Sequence, residues 1–175
     1  MKKTIYIIIA LFFVHLSFIT KSFAAVSEAS ISVWSNEAII TAYTYDYKNI
    51  INRQKATAKY FTTQAWINYS QALSKSGLLQ TVKTNRYNVS AVATMPPKII
   101  RSNIIKGKQN WQIEMPILAV YKNPQFQQKQ YLNIKLTIES SNPGSGTRGL
   151  AITSFIAKKT PAPKCPNTDK TKQLH

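Results

Sequence analysis

No glycine or proline interrupts residues 27–76, whereas all five glycines and all eight prolines of the chain lie at or beyond Gly77. A stretch without either residue is what long helices need, because each lowers helix stability in a helix interior. The chain therefore divides into a helical first half and a second half of different character. Ser27 can cap a first helix expected over 27–49. With successive side chains about 100° apart, Glu37, Thr41, Thr44 and Lys48 share one narrow polar strip. Ile31, Trp34, Ala38, Ala42 and Tyr45 form one apolar stripe, and Val33, Ile40, Tyr43 and Tyr47 form another. A helix apolar around most of its girth is buried on several sides or has a partner. A second helix is expected from Asn52 to Phe61, with Ala56, Tyr60 and Phe61 inward. Thr62 or Thr63 then caps a third, which carries Trp66, Tyr69 and Leu73 and ends at a left-handed Gly77.

From residue 85 onward the period changes to two. Val89, Ala91 and Ala93 alternate with polar neighbours until Pro96-Pro97. Ile99–Ile105 reads as a short strand, and Lys106-Gly107-Lys108-Gln109 as the turn into the next. That strand, Asn110–Tyr121, places Trp111, Ile113, Met115, Ile117 and Ala119 on one face, and Pro116 inside it calls for a bulge or an edge. Leu132, Ile134, Leu136 and Ile138 alternate cleanly with Asn133, Lys135, Thr137 and Glu139. Leu150–Ala157 closes the sheet. Helices first and an antiparallel meander after give an α+β domain, with three helices packed on a curved sheet of four to five strands. This is also the outline of the cone-shaped nuclear-transport-factor-like fold.

The ends of the chain read differently. Lys2 and Lys3, an apolar run from Ile5 to Ile19 and Ser22-Phe23-Ala24-Ala25 follow the order of a cleavable secretory signal peptide over 1–24. The run is shorter than the ~20 apolar residues a spanning helix needs, so no membrane anchor is expected after cleavage, and the mature chain is expected in the periplasm. A single domain then covers 25–157. Residues 158–175 carry prolines and lysines with one aliphatic residue, Leu174, too little apolar area to offset the entropy of ordering them. They read as a disordered basic tail, which also holds the sole cysteine, Cys165.

Several function classes fall away on composition. The only histidines are His15 and His175, so the predicted domain lacks the imidazole of Ser-His-Asp and Cys-His nucleophile systems and of His-bearing zinc sites. No glycine spacing matches a phosphate-binding loop, and no cofactor or metal is expected. The formal net charge of +17, from 23 basic against six acidic residues, favours anionic partners in general. Lys98, Arg101, Lys106 and Lys108 surround one hairpin and could face phosphates. Aromatic interleaving is thin there, and lysines that guard a sheet edge explain the same residues, so nucleic acid is not the expected partner. Asp46 between Tyr45 and Tyr47 is the one carboxylate–phenol arrangement suited to acid–base work. Sequence neighbours on a helix diverge by about 100°, however, so the three do not share a pocket.

Trp34-Ser35-Asn36-Glu37-Ala38 running into Ala42-Tyr43-Thr44-Tyr45-Asp46-Tyr47 resembles the IcmL (DotI) family of type IVB secretion and conjugation systems. So do Tyr60-Phe61-Thr62 with Ala65-Trp66, and Ser90-Ala91-Val92-Ala93. The likeness continues in Trp111-Gln112-Ile113, Met115-Pro116-Ile117-Leu118 and Tyr121, and in Arg148-Gly149-Leu150-Ala151-Ile152. It spans about residues 30–157. The resemblance implies a non-enzymatic envelope subunit, with a periplasmic domain similar to the VirB-type scaffold, working by self-association and by contact with other secretion-system proteins. Family members carry a transmembrane anchor ahead of this domain, where this chain shows a leader, so the chain reads as a paralogue or accessory of the machine. Trp34, Val33, Ile40, Tyr43 and Tyr47 are then the candidate interaction residues, because Tyr and Trp give rigid contact area with a polar tip. The alternatives are a soluble basic periplasmic protein that binds an anionic ligand or nucleic acid and, ranked below it, a cone-fold enzyme.

Overall fold

The computed structural model describes residues 26–142 and 144–163. The leader at 1–24 and most of the tail, Cys165 included, lie outside the described residues. Helix α1 (Glu28–Ala42) starts where Ser27 accepts a hydrogen bond from the Ser30 N–H, and Glu28 in its first turn suits the positive end of the helix dipole. Ile31, Trp34, Ser35, Ala38, Ile39 and Ala42 are its buried face. The helix ends seven residues before the expected Asn49. Tyr43-Thr44-Tyr45 are β-branched or aromatic residues that gain more from a strand than from another turn of helix. Tyr45 pairs with Val89 in the short strand β1 (Tyr45–Asp46). Asp46 Oδ1 then accepts from the N–H groups of Lys48 and Asn49, a turn that launches α2 (Ile50–Ala58).

Helix α2 also stops short of the expected Phe61. Tyr60 and Phe61 are buried, as their positions suggested, but Tyr60 lies in the turn that follows α2 and Phe61 in a bridge beyond it. Phe61 forms an isolated parallel bridge with Ile152, whose N–H donates to the Tyr60 carbonyl at 2.8 Å. Thr62 caps α3 (Thr63–Lys75) by accepting from the Ala65 N–H. Gly77, at φ +68°, ends α3 as expected and at the same time opens α4 (Leu78–Thr84), an extra helix absent from the sequence reading.

The strands are β2 (Asn88–Ala93), β3 (Lys98–Ile105), β4 (Lys108–Lys122), β5 (Gln127–Ser140) and β6 (Leu150–Lys159). All pairings between them are antiparallel in the order β1-β2-β4-β5-β6, and β3 also pairs with β4. Strands β2 and β3 share one edge of β4 end to end, since Ala93 faces Ile117 and Lys98 faces Glu114. Pro116 sits in the gap between them, where its missing N–H breaks no ladder bond, and its carbonyl accepts from Thr94 N at 2.9 Å. Lys106 and Gly107 form the β3–β4 turn, both with positive φ, as a tight two-residue hairpin requires. Strand β6 runs two residues past the expected domain boundary at 157. Lys158 and Lys159 pair with Asn133 and Leu132, so these two lysines belong to the sheet and not to the tail.

Bulges at Ile99/Arg101 and Thr137/Ile138 bend the sheet around the helices. The inward residues of β4 and β5 from Trp111 to Ile117 and from Leu132 to Ile138 are all buried. An aromatic cluster fastens α3 to β6: Phe61 stacks on Phe155 at 5.9 Å, and Tyr69 meets Phe155 edge-on at 5.0 Å. The domain is α+β with helices on the concave side of a curled sheet, with a fourth helix and a sixth, two-residue strand beyond the expected outline. Among the described residues, no helix is long and apolar enough to cross a membrane.

Candidate interaction site

Helix α1 lies against the β5–β6 connection, which holds it through two polar contacts. The connection ends in a two-residue turn: Thr147 and Leu150 exchange backbone hydrogen bonds of 2.9 and 3.1 Å around Arg148 and Gly149. Both turn residues have positive φ. Just before it, Gly146 at φ +70° has no room for a side chain, because a Cβ there would meet the Leu150 carbonyl oxygen at 1.9 Å. This geometry directs Thr147 and Arg148 at α1. Trp34 Nε1 donates to the Thr147 carbonyl and hydroxyl at 3.1 and 3.0 Å, which satisfies the indole N–H of a nearly buried ring. Arg148 Nη2 donates to Glu37 Oε2, while Tyr60 donates its hydroxyl proton to Glu37 Oε1 at 2.5 Å. The Tyr60 hydrogen bond, then the Arg148 one, lower the Glu37 pKa below the usual carboxylate range against an opposing desolvation. Burial raises the Tyr60 phenol, and its bond to the carboxylate adds to that.

The five candidate interaction residues do not form one surface. Trp34 and Tyr43 are core residues, only 2% and 9% exposed, so neither is available to a partner in the folded domain. Ile40 and Tyr47 are half-buried against the core. Val33, 65% exposed, stands alone as the accessible member. It borders a shallow groove of about 500 Å³ with Val26, Ala29 and Arg148 at the start of α1. The helical wheel separated the two stripes correctly around Val33 and Trp34, but it extended them through residues that have left the helix. Tyr43 caps α1 and turns inward, and Tyr47 lies beyond β1. The sequence reading missed Thr147 and Arg148 as partners of α1; Arg148-Gly149 is the kind of Xaa-Gly pair that marks a two-residue turn.

The basic residues of the β3–β4 hairpin are also dispersed. Lys108 is paired with Glu139 at 2.6 Å. Lys98 sits opposite Glu114, which Lys135 already engages and whose pKa it lowers by hydrogen bonding. Arg101 shares a face with Gln112, and Lys106 occupies the turn. Two of the four thus lie beside an acid, which weakens any continuous phosphate-facing track.

Asp46 is not part of a reactive cluster. Its carboxylate is occupied by two backbone N–H groups, while Tyr45 turns into the interior of the cone. That interior holds a cavity of about 330 Å³ between α1, α3 and the sheet, lined by Tyr43, Tyr45, Tyr69 and Tyr121 among others. Burial pushes all four phenols above their ordinary pKa, so they are neutral hydrogen-bond donors at physiological pH. Among the described residues, no carboxylate or imidazole lines the cavity.

The chain matches the sequence pattern of the type IVb secretion system, inner-membrane complex component family, DotI/IcmL, over residues 16–159. Among solved structures, an IcmL-like type IV secretion system protein from Legionella pneumophila is 46% identical, with a TM-score of 0.73 over 80% of this chain and 97% of that one. The periplasmic domain of DotI is 30% identical, with a TM-score of 0.74 over 77% of this chain and 96% of that domain. CagV of Helicobacter pylori, a VirB8 homologue, is 9% identical at a TM-score of 0.56 over 77% of this chain and all of that one, a likeness of fold alone. No curated protein is significantly similar in sequence.

Proposed function

The chain belongs to the DotI/IcmL family of type IVB secretion system components, and on that premise we propose that it is a periplasmic subunit or accessory of such an apparatus. It acts by association with envelope proteins of the machine and not by catalysis. The observation that carries this reading is the 46% identity to an IcmL-like secretion protein across nearly the whole of that protein. The domain's own chemistry agrees with it: the one carboxylate flanked by tyrosines is committed to backbone hydrogen bonds. The exposed apolar strip Val26, Ala29 and Val33 beside Arg148 is the surface offered to an envelope subunit.

The periplasmic location also rests on the DotI domain, whose structure is that of a periplasmic domain, and on the leader read in residues 1–24. Cleavage after Ala24 then leaves a mature protein of one domain followed by the basic tail from residue 160. N-terminal sequencing of the envelope-fraction protein should start within a residue of Ala25; an intact Met1 in an alkali-resistant membrane fraction would refute the soluble form. In-cell chemical crosslinking with mass spectrometry of the captured proteins tests the association itself. Envelope subunits of the secretion apparatus are the expected catch. A catch without any such subunit would overturn the assignment.

A further inference from the structure

We propose that the end of the domain around the β4–β5 loop is a docking face for a membrane surface rich in anionic lipid headgroups. The inference is independent of the role in secretion and rests on where charge and exposed apolar side chains lie. The β5–β6 connection, which follows Ser140 at one end of β5, holds α1. At the other end of β5, the loop 123–126 joins it to β4. Asn123 fixes that loop: its side-chain amide donates to the Asn85 carbonyl beside α4 at 2.9 Å, and its Oδ1 accepts from the Gln125 and Phe126 N–H groups at 2.9 and 2.7 Å. Phe126 rests against Tyr87, with 6.3 Å between ring centroids, yet it is 52% exposed. The Tyr47 N–H donates to the Tyr87 carbonyl at 3.1 Å, which brings the start of α2 to the same end with Ile51 72% exposed.

Charge is segregated to the same end. Lys48, Lys83, Arg86, Lys122 and Lys129 are exposed there, and among the described residues none of them is in an ion pair. Lys48 and Lys83 line one groove with Ile51. Lys122 and Lys129 flank the loop that carries Phe126, and Arg86 follows the Asn85 that Asn123 binds. Asp46 is the one acid at this end among the described residues, and its carboxylate accepts from the backbone N–H groups of Lys48 and Asn49. Glu37, Glu114 and Glu139 are paired elsewhere, with Arg148, Lys135 and Lys108. Unpaired cations around two exposed apolar side chains need a partner that answers both. A bilayer does so, with phosphates for the bases and an acyl boundary for Phe126 and Ile51. Nucleic acid matches the charge, but it leaves Ile51 in water and finds one exposed ring, Phe126, to stack on.

The test uses the mature protein and co-sedimentation with vesicles of phosphatidylcholine, alone or in equal parts with phosphatidylglycerol. Binding is expected only to the anionic vesicles, and it should fall steeply between about 0.05 and about 0.5 M salt as screening shortens the reach of the bases. Lys83→Gln/Lys122→Gln/Lys129→Gln should weaken it by at least about tenfold. The matched variant Lys98→Gln/Arg101→Gln/Lys106→Gln removes the same charge from the β3–β4 hairpin, and should change it by less than about twofold. Ile51→Ser/Phe126→Ser leaves the charge alone and should weaken binding by about tenfold. Phe126→Trp should shift its emission to shorter wavelength on anionic vesicles and be quenched by brominated lipid. If Ile51→Ser/Phe126→Ser fails to fold by circular dichroism, the Phe126→Trp emission decides. The proposal is overturned if anionic vesicles are not bound, if neutral ones bind equally well, or if the two triple variants lose the same affinity, which would leave net charge as the whole cause. It is also overturned if the Trp emission does not move, or if single-stranded DNA binds more tightly than the vesicles and the first triple variant abolishes that, which would give the face to nucleic acid.

Discussion

Strands β3 and β4 are neighbours with similarly apolar sequences and opposite fates. Ile99, Ile100, Ile104 and Ile105 put four isoleucines into the eight residues of β3, yet Ile104 is 71% exposed and only Ile99 packs on the core. In β4, Trp111, Ile113, Met115 and Ile117 are all buried, as are their β5 partners. What separates the two strands is cover, not composition. The inward face of β4 lies under the helices and between β3 or β2 on one side and β5 on the other. Strand β3 pairs with one strand only, β4, and Ile100, Ile104 and Ile105 remain exposed. Hydrophobic residues stabilise only where something removes them from water, so the same residue type has a different weight in each strand.

Substitutions should show that difference in order of size. Trp111→Ala removes a large buried side chain and should destabilise the domain by ~3–5 kcal/mol in urea unfolding. A loss below about 1 kcal/mol would place that face in solvent and invert the register of the whole sheet. Gly146→Ala forces a Cβ onto the Leu150 carbonyl at a positive φ, and should cost roughly 1–3 kcal/mol through the strained connection. Glu37→Gln should have a smaller effect that depends on pH. The folded carboxyl titrates below its unfolded value, so its contribution is complete above the unfolded pKa near 4.5 and fades as pH falls through the folded pKa. Thermal unfolding of the native protein and of Glu37→Gln should therefore differ at pH 6 and converge in acid. Because the cluster is partly exposed, salt should narrow the gap. Ile104→Lys, in the uncovered strand, should shift stability by no more than about 0.5 kcal/mol. A loss as large as that of Trp111→Ala would mean that β3 is covered by another part of the chain.

The strands were legible because alternation reports directly which side chains a half-buried sheet hides: every inward position expected in β4 and from Leu132 to Ile138 is buried. Helix ends were not. Tyr43-Thr44-Tyr45 continue the helical period of α1 while their intrinsic preference is for strand, and only pairing with Val89 decides between the two. Helix α4 escaped notice because Gly77 reads as the end of one helix and gives no sign that it also opens another. The site was less legible for the same reason. A helical wheel ranks Trp34 and Val33 on separate stripes, and the structure agrees, but Tyr43 changes sides once the helix stops before it. The staple from Thr147 and Arg148 joins residues more than 100 positions apart in sequence, which no local pattern encodes.

On the function proposed here, the domain contacts envelope proteins of a secretion apparatus through the exposed start of α1 and not through the equally exposed β3. Val33 at 65% and Ile104 at 71% exposure are matched positions for testing it. A photoreactive amino acid placed at each in turn, in cells that carry the apparatus, compares the two surfaces within one fold. Position 33 should yield crosslinks to secretion-system envelope subunits, and position 104 should yield none. Capture of those subunits from position 104 alone, or from neither position, would contradict the account.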